Sequence, residues 1–203
     1  MVTPIEIPNE LPIIVLTQAV LFPNALLPLH IFEERYRQML ETALDDSRIF
    51  GVAQALEEEE PSQPVSDLAE VMGIGVIRAC VERPEGTSDL ILQGLARVRI
   101  IGETQSEPFR TVKIEPVNTE IADPENARRL AESLRQASHA LAEEGYEIPQ
   151  KMEQYLEKVR DPEIIGDLMA AAFVADPDMR QEVLETEDLE SRLEIVLQAM
   201  RQL

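Results

Sequence analysis

The sequence predicts an α+β fold, with a β-rich region at residues 1–119 and a helical region at residues 120–203. In residues 89–102, apolar and polar side chains alternate, which is typical of a half-buried strand. Beyond residue 120, Asp-Pro pairs repeatedly precede apolar residues spaced three and four positions apart, as in amphipathic helices. Together these patterns indicate a strand-rich domain with one inserted helix, followed by a helical bundle.

Strands in the first region are predicted from short apolar runs and turn residues. Residues 13–16 and 19–22 are apolar and precede a Pro-Asn turn. Residues 25–31 form another extended piece, in which Pro28 is compatible only with an edge strand or a bulge. Further strands are predicted at residues 48–56, 70–83, 89–102 and 109–115, with an exposed acidic loop at 57–68. Several strands at this spacing favour a sandwich or a barrel.

Two features of the long strands raise the question of function. Gly73 and Gly75 lack the third glycine and the following helix of a dinucleotide-binding loop, so a bulge or a close strand approach is expected there. Arg97 and Arg99 fall on the polar face of the alternating strand. We expect these two arginines to form salt bridges on the solvent side of the sheet.

One helix is predicted inside the β-rich region, over residues 32–46. The apolar residues that recur at helical spacing are Phe32, Tyr36, Met39, Leu40, Ala43 and Leu44. Glu33 and Glu34 fall in the first turn, where the helix dipole favours anions. This stripe is therefore expected to face the core.

The helices of the second region are predicted from their caps. Asp123, Asp161 and Asp176 each precede a proline that fits the first helical turn. A last helix is predicted to open at Thr186 and to bury a stripe of five residues: Leu189, Leu193, Val196, Leu197 and Met200. The region is thus expected to be entirely helical.

Charge and composition exclude several classes of protein. The formal net charge is −21, which disfavours nucleic acids and anionic membrane surfaces as partners. A signal peptide needs a basic leading segment, but residues 1–10 contain two glutamates and no lysine or arginine. The apolar stretch at residues 11–32 is interrupted by three prolines and does not suit a spanning helix. With a single cysteine and thus no internal disulfide, a cytoplasmic location is expected.

The sequence contains no recognisable catalytic, cofactor-binding or metal-binding motif. None of the three lysines follows a glycine as a phosphate-binding loop requires. His30 and His139 have no Gly-x-Ser-x-Gly nucleophile to serve, and Cys80 has no identified base. We expect no cofactor, no metal and no enzyme activity of the chain.

Three separated motifs resemble one known family. The segment “LPIIVLTQAVLFPNALLPLHIFEERYRQML”, residues 11–40, is similar to the opening of the Lon N-terminal domain, the substrate-binding domain of ATP-dependent Lon proteases. The segment “GLARVRII” resembles that family's strand motif. The C-terminal helices match its pattern through Gln181, Leu184, Glu185, Asp188, Arg192 and Leu193. Asn24 departs from the pattern, because it replaces the glycine that usually follows Phe-Pro.

The resemblance implies a six-stranded β pseudo-barrel of PUA-like type with a helical bundle appended. The chain lacks a phosphate-binding loop. The resemblance therefore further implies a stand-alone, bacterial Lon-domain protein without the ATPase and protease domains. The implied function is a non-enzymatic polypeptide-binding module, with an adaptor role for a protease as one form of it. Its implied partners are unfolded or tagged polypeptide, or a protease or other protein.

Two alternative functions are open from the sequence. One is the small-ligand or RNA-binding role of PUA-like proteins, which an exposed basic cluster of Arg78, Arg97 and Arg99 would support. The other is a cryptic hydrolase, which a pocket that brings a carboxylate pair to His30 would support.

Candidate partner-binding residues are assigned to the predicted helix and to the preceding turn. They are Glu34, Arg35 and Arg37 on the helix, and Phe22 and Pro23 at the turn. The alternative interpretation of Glu34 and Arg35 is a solvated helix face, and that of Phe22 is a core position.

Overall fold

The computed structural model describes residues 6–56, 68–148 and 150–203, and the chain divides into two compact units, residues 1–117 and 118–203. The first unit contains β1 (Glu10–Leu16), β2 (Leu26–Ile31), α1 (Glu34–Asp45), β3 (Ile49–Gln54), β4 (Val71–Glu82), β5 (Ser88–Gln105) and β6 (Thr111–Pro116). The second contains α2 (Pro124–Glu143), α3 (Gln150–Leu156), α4 (Pro162–Phe173), α5 (Pro177–Glu185) and α6 (Leu189–Met200). The α+β fold class is confirmed. Most of the predicted acidic loop lies outside the described residues.

The six strands form one sheet that closes on itself. Their order is β2-β5-β4-β3-β1-β6, and β5 also pairs with β6, so five strands complete a barrel. β1 and β3 are parallel, and the other pairs are antiparallel. The 18-residue β5 is long enough to pair with β2, β4 and β6. The predicted pseudo-barrel is therefore confirmed.

The strand β2 lies outside the closed ring, where it pairs with β5 and with no other described strand. Pro28 stands in this strand, opposite Ile91 of β5. Since proline has no N–H, an edge position is the one that costs it no ladder hydrogen bond. Of the two settings predicted for Pro28, an edge strand or a bulge, the structure shows the edge strand.

The chain between β1 and β2 crosses the sheet at two glycines. A Cβ atom on Gly73 would lie 1.8 Å from the carbonyl oxygen of Leu21, and one on Gly94 would lie 2.0 Å from that of Phe22. The ladder between β4 and β5 is also shifted beside Gly75. Both expectations for this glycine pair, a bulge and a close approach, are thus met. The prediction of a strand at residues 19–22 is wrong, because these residues cross the sheet instead of joining it.

A tight turn ends this crossing segment. The Ala25 N–H donates to the Phe22 carbonyl at 3.3 Å, and Asn24 has a φ of 63°. Proline before a residue of positive φ is the arrangement of a type II turn. Asparagine adopts this conformation more readily than most residues, which explains how it replaces glycine here. The Asn24 N–H then donates to the Gly94 carbonyl at 3.0 Å, and the Gly94 N–H to the Ala25 carbonyl at 2.9 Å.

Apolar side chains fill two core clusters in the first unit. One is the barrel interior, formed mainly by Leu11, Ile13, Val15, Ile49, Met72, Ile74, Val98 and Val112. The other packs α1 on the sheet and includes Leu21, Ile31, Tyr36, Met39, Leu40, Phe50, Ile77 and Leu92. The Tyr36 hydroxyl donates to the Val15 carbonyl at 3.3 Å and accepts the Val15 N–H at 3.2 Å, which ties α1 to β1.

Two predictions of burial in this unit are wrong. Phe32 was expected in the buried stripe of α1, but the helix begins at Glu34 and Phe32 is 62% exposed. Arg97 was expected on the solvent face, but it is only 3% exposed. Arg97 lies directly opposite Gly73, and opposite residues share one face of a sheet. The segment that crosses over Gly73 therefore also covers Arg97.

Aspartate caps begin four helices of the second unit. The side chains of Asp123, Asp161 and Asp176 accept backbone N–H groups of the first helical turn, as predicted. The last helix begins at Leu189 instead of Thr186, because the Asp188 side chain accepts the Ser191 N–H at 2.8 Å. The hydrogen bonds from Ser191 lower the pKa of Asp188. No helix in the described ranges is long and apolar enough to cross a bilayer.

A buried ion network joins α6 to α4 inside this unit. Arg192 is fully buried, and its Nη2 donates to Glu163 Oε1 at 3.1 Å and to Thr119 Oγ1 at 3.3 Å. Its Nη1 lies 4.0 Å from Oδ1 of Asp167, which is also buried. Arg192, one of the motif residues named above, thus holds the bundle together.

Substituting Gly94 by alanine is expected to destabilise the first unit by about 2 kcal/mol or more, since the added methyl would displace backbone atoms. The matched control is Gly102→Ala in the same strand, where a Cβ would meet nothing within 4 Å. Chemical denaturation followed by circular dichroism measures both. Equal free energies of unfolding for the two variants would contradict the close approach.

Replacing Arg192 by alanine is expected to lower the free energy of unfolding by about 3–5 kcal/mol, because two carboxylates lose their buried cation. Arg128→Ala is the control, since it removes an exposed ion pair with Glu125 and should cost about 1 kcal/mol or less. Thermal and urea unfolding measure the difference. A loss as small as that of the control would show that the network contributes no stability.

The Asp188 cap leads to a pH-dependent expectation. Its folded pKa is lowered, so the stability it contributes is present above the usual aspartate pKa of about 3.9 and is lost as pH falls through the folded value. Asp188→Ala should therefore cost about 1 kcal/mol near pH 7, with a smaller difference from the parent at pH 3. Urea unfolding at both pH values measures this, with the exposed Glu194→Ala as control.

Candidate functional site

An exposed apolar surface lies where β2 borders β5 and β4. Along β2, alternate side chains of Leu26, Pro28 and His30 point to solvent, and Leu26 is 63% exposed. Their neighbours across β5 and β4 include Ile91, Ala79 and Val81, and Val81 is 65% exposed. We call this surface, with Phe32, Asp89 and Gln93, the β2 face.

A depression of about 450 Å³ runs over the β2 face. It is lined by Pro28, Leu29, His30, Ala79, Val81, Asp89, Leu90 and Ile91. Most of these side chains are aliphatic, and the polar ones stand together at one end. A surface of this kind gains free energy when an apolar group covers it, at roughly 25 cal/mol per Å² removed from water.

The polar end of the β2 face is a hydrogen-bonded group of three side chains. Asp89 Oδ1 lies 2.7 Å from His30 Nδ1, and Asp89 Oδ2 accepts Nε of Arg83 at 2.7 Å. The hydrogen bond from His30, followed by that from Arg83, lowers the pKa of the Asp89 carboxyl. An ionised Asp89 accepts only, so His30 carries its proton on Nδ1. Its ring therefore has a fixed orientation.

His30 and Phe32 form an aromatic pair at this end. Their ring centroids are 5.9 Å apart, and the ring planes differ by 21°. Phe32 precedes Glu33, the N-cap of α1, so it lies outside the helix, and it is exposed. Exposed aromatic side chains of this kind are enriched at protein contact surfaces.

The outer edge of β2 is poorly suited to receive another strand. The Gly94 N–H donates to the Ala25 carbonyl, so the backbone groups of Ala25 and of every second residue after it face β5. By the antiparallel alternation, those of Leu26, Pro28 and His30 turn to the outer edge. Pro28 has no N–H to offer there, a common means of protecting an edge strand. Contacts to this surface are thus expected from side chains.

The structure separates the candidate residues assigned to α1. Glu34 is exposed, and its Oε2 lies 3.2 Å from Nη1 of Arg37. Arg35 binds Oε2 of Glu33 through Nε at 3.0 Å, and its guanidinium carbon lies 4.5 Å from the ring centre of Tyr36.

The two arginines line different depressions. Arg35 lines one of about 220 Å³ beside residues 106–110, and Arg37 lines one of about 350 Å³ that also contains Arg48 and Cys80. They therefore do not form one common site.

The two turn candidates lie in the interior. Phe22 is fully buried, and Pro23 is buried beside it. Phe22 therefore occupies a core position, which was the alternative interpretation of this residue. Neither side chain offers a contact surface in this conformation.

The exposed residues of the β2 face were not singled out from the sequence. The alternation of Leu26, Pro28 and His30 was present in the sequence as an extended piece, but it does not say which face is covered. Phe32 fits a helical apolar pattern that predicts a core position, and for Val81 the sequence predicts only a place in the strand at residues 70–83. The one sequence feature that points to this surface is Pro28, because a proline within a strand indicates an edge strand with fewer neighbouring strands.

The described residues do not form either of the two arrangements that would support the alternative functions. Arg97 is buried, Arg78 donates to Gln93 at 2.5 Å, and Arg99 donates to Glu70 at 3.0 Å, so these residues do not form an exposed basic cluster. Within the described ranges, His30 is bound to one carboxylate, that of Asp89, and not to a pair. In the same part of the chain, no group of three or more potential ligands could hold a metal ion.

Comparison with known proteins gives one family. The family model described as the ATP-dependent protease La (LON) substrate-binding domain matches residues 10–202. The chain is 28% identical over 196 residues to a Lon protease of Anaeromyxobacter dehalogenans, and 30% over 193 residues to one of Desulfovibrio desulfuricans. These alignments cover 96% and 94% of the chain, but only 23% and 22% of the relatives. The chain thus spans about a quarter of the length of the curated relatives it matches.

Solved structures agree on the fold. The N-terminal domain of the Mycobacterium avium complex Lon protease superposes with a TM-score of 0.74 at 18% identity, covering 95% of this chain and 98% of that one. A Lon N-terminal domain protein from Xanthomonas campestris gives 0.64 at 21% identity, covering 93% and 97%. With a family model that matches almost the full sequence, the chain belongs to the Lon substrate-binding domain family.

Proposed function

We propose that this chain is a polypeptide-binding module that holds unfolded polypeptide on the β2 face. Membership of a substrate-binding domain family supports polypeptide as the class of ligand. The assignment of the binding site to the β2 face rests on the exposure of Leu26, Phe32 and Val81 around one depression.

The chemistry of the β2 face suits an unfolded chain better than a folded one. Covering one exposed leucine or phenylalanine side chain contributes about 1.5–3 kcal/mol, before the cost of ordering the ligand. The depression is shallow and mostly aliphatic, so it accepts apolar side chains without demanding a fixed pattern of donors. Weak and sequence-tolerant binding is the expected result, with dissociation constants in the micromolar range.

The polar group at one end of the depression has a supporting role in this proposal. Arg83 and Asp89 hold His30, and His30 supports the Phe32 ring by stacking. An aromatic side chain fixed in this way loses little freedom when a ligand binds, which favours affinity. The group orients a contact residue and carries out no reaction.

The proposed role is binding and not catalysis. A module that only holds polypeptide acts on it through another protein, so an adaptor function for a protease follows naturally from this proposal. A cytoplasmic location is part of the same proposal, since unfolded and tagged polypeptides arise there.

Replacing Leu26 and Phe32 together by serine is expected to weaken binding of reduced, alkylated casein at least tenfold, because two exposed apolar contacts are removed. Fluorescence anisotropy of labelled casein measures the dissociation constant. Both residues are exposed, so the free energy of unfolding should change little.

The matched control is Ile101→Ser, which removes an apolar side chain of similar exposure, 56%, from β5 outside the β2 face. It should leave casein binding unchanged. No detectable binding by the parent chain at tens of micromolar would refute the polypeptide-binding function. Equal weakening by the control would refute the assignment of the β2 face.

A further inference from the structure

A second depression of the first unit, about 220 Å³ in volume, has a different character from the β2 face. It lies between the start of α1, which contributes Arg35 and Tyr36, and the connection from β5 to β6. Its lining residues are Ile13, Arg35, Tyr36, Ser106, Glu107, Pro108, Phe109 and Arg110. No residue of the β2 face takes part in it.

The charges around this depression are balanced, unlike those of the chain as a whole. Arg35, Arg110 and Glu107 line it, and Glu33 pairs with Arg35, so the formal charges of these four side chains cancel. The full chain has 39 acidic and 18 basic residues and a net charge of −21. Two arginines beside one depression of such an acidic chain offer guanidinium donors to a carboxylate.

Both arginines are held in place by the fold. Arg110 is 91% buried, and its carbonyl accepts the Ile13 N–H at 3.0 Å, which ties it to β1. The Gln105 side chain donates to the Phe109 carbonyl at 2.9 Å and closes the loop that carries Arg110. Glu33 and the ring of Tyr36 fix the guanidinium of Arg35.

We infer that this depression binds a carboxylate group carried on a small apolar body. Guanidinium groups match carboxylate geometry, and a guanidinium has five N–H donors, so one that is already paired can bind a second carboxylate. Tyr36, Pro108 and Phe109 provide apolar walls for the carbon atoms next to the carboxylate. The volume is below the roughly 300–1,000 Å³ of pockets that enclose whole ligands. The depression therefore suits a terminal group or a very small acid.

Two sources can supply this chemistry: the free carboxyl terminus of a polypeptide, and a small organic acid. Isothermal titration calorimetry on the full chain distinguishes them with two pairs of probes. The first pair is a peptide that ends in Ala-Leu with a free carboxylate, and the same peptide as its carboxamide. The second pair is 3-phenylpropionate and 3-phenylpropionamide.

At least one carboxylate probe is expected to bind about tenfold or more tightly than its amide, because the amide lacks the charge-assisted hydrogen bonds. Arg35→Gln should weaken binding of that carboxylate by a similar factor and leave the amide unchanged. The matched control is Arg37→Gln, two residues along α1, which also loses an ion pair with a glutamate but lines another depression. It should bind like the parent chain.

Binding of the peptide acid alone would assign the site to polypeptide termini, and binding of 3-phenylpropionate alone would assign it to small acids. Equal affinities for acids and amides would overturn the inference, as would equal effects of Arg35→Gln and Arg37→Gln. The double variant of Leu26 and Phe32 should retain carboxylate binding. This inference can therefore fail while the function proposed for the β2 face stands, and the reverse also holds.

Discussion

The close passage of the chain over Gly73 and Gly94 is the constraint on which the first unit depends. Carbonyl oxygens of Leu21 and Phe22 occupy the space that side chains would fill at these two positions. The type II turn at Pro23 and two hydrogen bonds to Gly94 then hold the chain there. A backbone segment packed this closely cannot shift along the sheet, so the register of β2 against β5 is fixed.

Both candidate sites follow from this crossing. After the turn, β2 is placed along β5 outside the closed barrel, where one face stays exposed and one edge stays unpaired by other described strands. The helix α1 then returns across the sheet and is tied to β1 through the hydroxyl of Tyr36. Its first turn brings Arg35 beside the loop that carries Arg110. An apolar surface and a depression lined by two arginines thus arise on opposite ends of one short connection, Phe32-Glu33.

The sequence predicts the elements better than it predicts the surfaces. Alternation, helical spacing and Asp-Pro caps identify strands and helices because these signals are local. The burial predictions for Arg97 and Phe32 are wrong for a nonlocal reason. Whether they are covered depends on the crossing segment and on where α1 begins, and neither can be read from their neighbours in sequence. The presence of Arg35 and Arg110 in one depression likewise cannot be predicted from the sequence, since the fold brings these distant residues together.

The proposed polypeptide binding is compatible with a strongly acidic chain. Binding at the β2 face, as proposed, would depend on apolar area, which is insensitive to the net charge of the chain. The charged groups there, Arg83, Asp89 and His30, are bound to each other and contribute little long-range field. At physiological salt, charges beyond about 8 Å are largely screened, so local groups decide what binds. An acidic surface favours solubility of a chain with an exposed apolar face, and in the proposed function this apolar face supplies the contacts to an unfolded partner.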